Sequence, residues 1–183
     1  MNIVCVPQAL LHSLRTEVKA ASWFAALGEP LTDGDRADAV AYAEALGLGR
    51  LAIDRARDWP EAERLLRRPD TSGWWDREEA LRKTLIADVE TRFPGRVLWT
   101  VLTELTTEAG DLVHGKAAAA AARMGNAAPA SIHVAAGAAA QAVYQLALAR
   151  LADRESSPFE SRFRLFAAGR WPLGAVGSRL VLF

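Results

Sequence analysis

Cysteine is nearly absent from this chain of 183 residues. Cys5 stands alone, so no intramolecular disulfide can form and a reducing cytosol is the expected compartment. Charge of one sign is also missing. Lys and Arg total 22, as do Asp and Glu, which leaves no basic excess of the kind nucleic-acid binders and polybasic membrane attachments carry. No G-x-G-x-x-G, P-loop or G-x-S-x-G motif occurs, so dinucleotide, nucleoside triphosphate and serine-hydrolase chemistry have no anchor in the sequence. No repeat of 20–50 residues and no Ser/Gly linker divides the chain. The opening MNIVCVPQALLHSLRTEVKA lacks a basic n-region ahead of a long apolar stretch and does not read as a signal peptide. Only 127–149 is poor in charge for about the length of a span. Its alanines, with His133, Gln141 and Gln145, are too weakly apolar to insert well. Neither a membrane nor a nucleic acid is therefore expected as a partner.

What is present is helical periodicity. A single domain over 1–183 is expected, with enough length to bury a core without a metal or disulfide staple. QALLHSLRTEVKAASWFAAL (8–27) spaces Leu10, Leu11, Leu14, Val18, Ala21 and Phe24 on one face and ends at Gly28. A second helix starts at Thr32 or Asp33 and breaks at Gly47 and Gly49. RLAIDRARDW predicts a helical turn or two, and Pro60 opens EAERLLRR. A longer helix capped by Thr71 or Ser72 runs toward Pro94, and the next spans about 96–123. Another follows from Pro129 or Ser131 to about Asp153, and Pro158 opens the last. Strands are expected only at the chain ends, at about 2–6 and within 173–183. LGAV and RLVLF flank a two-residue Gly177-Ser178 turn, and the final strand is expected to pair near the N-terminal one. The predicted fold is mainly α: a multi-helix bundle with a small β element formed by the termini. The closing AAGRWPLGAVGSRLVLF resembles the end strands of some bacterial proteins, immunity-like ones among them. The resemblance covers these residues alone and assigns none of them a role.

GKAAAAAARMG and PASIHVAAGAAAQAVYQLALARLA predict an alanine-rich antiparallel helical hairpin reversing at Gly125-Asn126. Small side chains allow close approach of the two backbones, and Gly137 would remove even a Cβ from the crossing.

ELTTEAGDLVH (104–114) comes nearest to chemistry. At about 100° per residue, Glu104, Glu108, Asp111 and His114 share roughly a third of the helix circumference. The apolar Leu98, Leu102, Leu105, Ala109 and Leu112 lie on a different face. A solvated flank of an amphipathic helix explains this pattern. The alternative is a divalent metal held by Glu104, Glu108, Asp111 and His114, which would need a further ligand from another helix, His133 or His12. An axial count about the turn separates His114 from His133 by about 7 Å along the helices, beyond evident ligand distance. Cys5, among apolar neighbours, reads as a buried structural thiol. Asp33, Asp35 and Asp38 in TDGDRAD lack the twelve-residue calcium loop and read as helix capping. Arg50, Arg55, Arg57, Arg64, Arg67 and Arg68 alternate with acids and read as a solvated face.

Trp74-Trp75, two of six tryptophans, point in different directions from the start of a helix, so one is expected in the core and the other free to anchor a contact. With no catalytic motif and no cofactor predicted, the expected function is non-enzymatic. It is a protein–protein binding module or homodimer in the cytoplasm, with the metal-binding protein or metal-dependent enzyme as the alternative.

Overall fold

The computed structural model describes residues 6–183 except 69, 71, 126, 127 and 155. Among these residues it contains seven helices and three short strands, a mainly α fold. The helices are α1 (Gln8–Ala20), α2 (Asp33–Ala45), α3 (Trp59–Leu66), α4 (Trp74–Glu90), α5 (Gly95–Arg123), α6 (Pro129–Leu151) and α7 (Pro158–Ala167). The strands are β1 (Ala52–Arg55), β2 (Pro172–Val176) and β3 (Arg179–Leu182). The expected strand at 2–6 and its Cys5 fall on residues outside the description, apart from Val6, which is buried and not in a strand.

α5 and α6 form the alanine-rich hairpin. Ala109, Ala117, Ala120 and Ala121 of α5 and Ala135, Ala139 and Ala142 of α6 are buried. α6 packs against α5, α7, α4 and α1 and is the central helix. By length and composition it could cross a membrane, but 56% of its apolar window lies inside the fold. Gly137 does not serve the crossing. It is exposed, and a Cβ built on it meets nothing within 4 Å, so the packing makes no use of its missing side chain.

The sheet has the order β1-β3-β2. β2 and β3 form the expected antiparallel hairpin about Gly177-Ser178. The other neighbour of β3 is an internal segment, because β1 runs parallel to it with Ile53 opposite Leu180. The helical turn expected at 50–59 is thus a strand followed by the Asp58 cap of α3. Tertiary pairing overrides local propensity here, because the edge of the apolar β3 offers the backbone of Ala52 and Ile53 a ladder. β3 is the middle strand, and after the exposed Arg179 it reads as an apolar run because both of its faces are covered. Leu180 and Leu182 face a cluster with Ala39, Tyr42 and Leu165, while Val181 and Phe183 join the main core.

α1 stops at Ala20, seven residues short of the expected end. Trp23 and Phe24 turn inward instead, Phe24 with φ +60°. Trp23 Nε1 donates to Val18 O at 2.7 Å, which satisfies a carbonyl at the helix end. Both rings pack on Phe166, with centroids 5.8 and 5.9 Å away, and Phe24 also meets Trp171. Aromatic burial against α7 outweighs the propensity to continue the helix. Gly169 makes this approach possible, since a Cβ there would lie 2.7 Å from Ala26 N.

Thr32 caps α2 through a capping box with Asp35. Asp35 also takes Arg170 Nε at 3.0 Å, and Arg170 donates onward to the carbonyls of Ala26, Glu29 and Pro30. This buried arginine joins the segment after α1, the start of α2 and the entry to β2. Burial alone would raise the Asp35 carboxyl, but the hydrogen bonds from Thr32 and Arg170 outweigh it and hold it below its ordinary value.

Candidate functional site

The first turn of α4 lies over β2. Gly73 precedes the helix in the left-handed region and offers no side-chain cap. The capping expected of Thr71 or Ser72 is shared instead: Ser72 Oγ accepts from Trp74 N at 3.1 Å and Asp70 Oδ2 from Trp75 N at 2.9 Å. This fixes the two indoles in different surroundings. Trp74 is partly buried against the backbone of Gly174, where a Cβ would come within 2.7 Å of its ring. Trp75 is 49% exposed, with its ring centroid 6.5 Å from that of Trp74.

A groove of about 320 Å³ opens beside them, walled by the end of α3, the start of α4, one face of α6 and the residues of β2. Leu66, Trp75 and Val134 stand on its walls at 37, 49 and 52% exposure, three of the four large apolar side chains exposed among the described residues. A larger cleft of about 550 Å³ lies beside α4, but the Asp88 and Arg154 side chains that line it pair with each other at 3.2 Å.

Behind Trp74 and Arg162, which line the groove, lies a buried polar network. Arg162 of α7 donates through Nη1 to both carboxylate oxygens of Glu78, at 3.0 and 3.1 Å, and to Gln145 Oε1 at 2.5 Å. Tyr42 donates its hydroxyl to Glu78 Oε1 at 2.5 Å and accepts from Trp74 Nε1 at 2.6 Å. All four of Tyr42, Glu78, Gln145 and Arg162 are buried. The guanidinium lies 6.0 Å from the Trp74 ring centroid. Its Nε has no hydrogen-bond partner among the described residues. Burial, followed by the Glu78 charge, pushes the Tyr42 phenol well above its ordinary value, so it stays a donor. The network crosses four helices and fixes the indole that forms the groove floor.

The sequence singles out Trp74 and Trp75 by type but gives little sign of this network. Its only local sign is Gln145, a polar residue inside the apolar VYQLALARL run of α6. Glu78 and Arg162 sit in charge-rich stretches that look solvated.

The 104–114 face stands apart from the groove. Glu104, Glu108, Asp111 and His114 are all exposed on α5. Glu108 is engaged by Arg15 of α1, at 2.9 and 3.1 Å, and that hydrogen bond lowers its carboxyl below the ordinary value. Among the described residues, no three His, Cys, Asp or Glu side chains are grouped as an ion would need. His133, however, is nearer than the axial count allows, with its ring centroid 5.0 Å from that of His114. The count compares backbone heights, and the two side chains reach across the difference.

No family model, curated protein or solved structure matches this chain.

Proposed function

We propose that this chain is a non-enzymatic, cytoplasmic binding module that takes an apolar segment of a protein partner into the groove beside Trp74 and Trp75. The observation that carries the reading is the exposed trio of Leu66, Trp75 and Val134 around an indole floor held by its hydrogen bond to the buried Tyr42. Exposed tryptophan beside a preformed pocket is the usual anatomy of an interface hot spot. The trio is small, so it suits one or two anchoring side chains of a short segment better than a broad flat interface. Charge favours a segment with an acidic group beside its anchor. Arg68 lines the groove, and Asp70 already spends its oxygens on Ser72 and the start of α4. Association of two copies through the same trio is the competing arrangement.

The test is selection from a displayed peptide library against the purified chain, followed by titration on the intrinsic tryptophan fluorescence. Enriched peptides should share an aliphatic or aromatic anchor next to Asp or Glu. Trp75→Ala should weaken them about 10–100-fold, the effect of removing a hot-spot tryptophan. Sedimentation velocity on the chain alone separates out the dimer. No enrichment over the Trp75→Ala chain, or affinity indifferent to that change, would overturn the reading.

A further inference from the structure

His114 of α5 and His133 of α6 are both exposed, and their rings meet across the alanine-rich hairpin with centroids 5.0 Å apart and planes at 65°. His133 Nδ1 lies 2.7 Å from Pro129 O. A carbonyl oxygen can only accept, so Nδ1 carries the hydrogen, and in the neutral ring the lone pair is left on Nε2. Anchoring one imidazole nitrogen on a backbone carbonyl is how proteins fix the tautomer and orientation of a metal-ligating histidine. The spacing fits the same use. Two imidazoles on one tetrahedral ion, with metal–nitrogen bonds of about 2.0–2.1 Å, have ring centres roughly 5 Å apart.

We propose that His114 and His133 form a two-imidazole site for a late first-row divalent ion of the zinc, nickel or copper class. The donor set selects these ions over magnesium and calcium, which prefer oxygen. Water completes the coordination, because no third His, Cys, Asp or Glu is grouped with the pair among the described residues. Glu108, held by Arg15, takes no part. The ion ties α5 to α6 and binds the folded hairpin in preference to the unfolded chain, so it stabilises the fold. This site uses none of the groove's contacts and stands or falls apart from the binding-module reading.

The experiment is isothermal titration of the untagged full chain with nickel, zinc and copper salts, with magnesium as the control. It is run beside His114→Ala, His133→Ala, His12→Ala and Trp75→Ala, all checked for folding by circular dichroism. One ion per chain is expected in the wild type, His12→Ala and Trp75→Ala. Either His114→Ala or His133→Ala should weaken binding at least tenfold and abolish the metal-induced rise in melting temperature. Copper electron paramagnetic resonance should show two nitrogen ligands in the wild type and one or none in those two variants. No binding by the folded wild type would overturn the proposal. So would binding that survives loss of either residue, or an equal loss in His12→Ala.

Discussion

The two polar regions of this molecule reverse what their sequences advertise. The acidic flank of α5 gathers three carboxylates and an imidazole at helical spacing, yet each is exposed and Glu108 has a partner of its own on α1. Glu78 and Arg162 sit unremarked in DREEALRK and ESRFRLF, yet they are buried together with Tyr42 and Gln145 beneath the Trp74 ring. A dense local cluster of charge costs a helix little because water serves it. A buried charge has to be served by residues brought from elsewhere in the chain, and that service is what shapes a site.

The comparison is broken most forcefully at Arg162. Arg162→Met fills similar space but leaves the Glu78 carboxylate buried without its cation, and it removes the donor to Gln145. Breaking one side of such a pair costs about 3–5 kcal/mol. Urea denaturation should show that loss, and the emission of Trp74 should shift as its floor loosens. A loss under about 1 kcal/mol would mean that the network is wetter than its geometry implies, and the two regions would then be alike.

Tyr42→Phe acts on the same network more gently. It deletes the donor to Glu78 and the acceptor for Trp74 Nε1 while keeping the ring, and should cost about 1–3 kcal/mol at neutral pH. The pH dependence separates this from simple packing. Because the folded phenol titrates well above 10 and the unfolded one near it, the folded state holds a proton that the unfolded state gives up. Stability from Tyr42 is therefore complete below about pH 10 and declines as pH rises through and beyond it. Denaturation series from pH 8 to the alkaline limit should show a steeper decline in the wild type than in Tyr42→Phe. Parallel curves would detach Tyr42 from the network.

How much of this was legible follows from the range of the interactions. The helices of the alanine-rich hairpin were legible because propensity and small-residue composition are local. The C-terminal hairpin was legible because Gly177-Ser178 punctuates two apolar runs. β1 was not, since a strand of four residues exists only because β3, more than a hundred residues later, supplies its ladder. The end of α1 is not legible, because Phe24 fits the helical period yet packs on Phe166 and Trp171 from elsewhere in the chain. Trp74 and Trp75 could be picked out by type, and the split between a partly buried and an exposed indole follows from their adjacency. Arg162, Glu78 and Tyr42 could not, because no spacing relates residues on different helices, and Gln145 shows only as a polar residue in an apolar run.

The smallest expected effect lies on the flank that drew attention first. Glu108→Ala removes the Arg15 pair, which is half open to solvent, so it should cost only about 0.2–1 kcal/mol, and less in high salt. Its sign with pH is opposite to that of Tyr42. The Arg15 hydrogen bond depresses the folded carboxyl, so whatever Glu108 contributes is present above the ordinary carboxylate range and lost as pH falls through the lowered value. Denaturation of Glu108→Ala and wild type at neutral pH, in low and high salt, and again in mild acid should give curves that converge in either salt or acid. A gap of 2 kcal/mol or more that ignores salt would show that the Arg15–Glu108 pair is screened from water in solution. The flank of α5 would then join the buried network as a built feature, and the contrast between the two regions would narrow to the number of partners each charge receives.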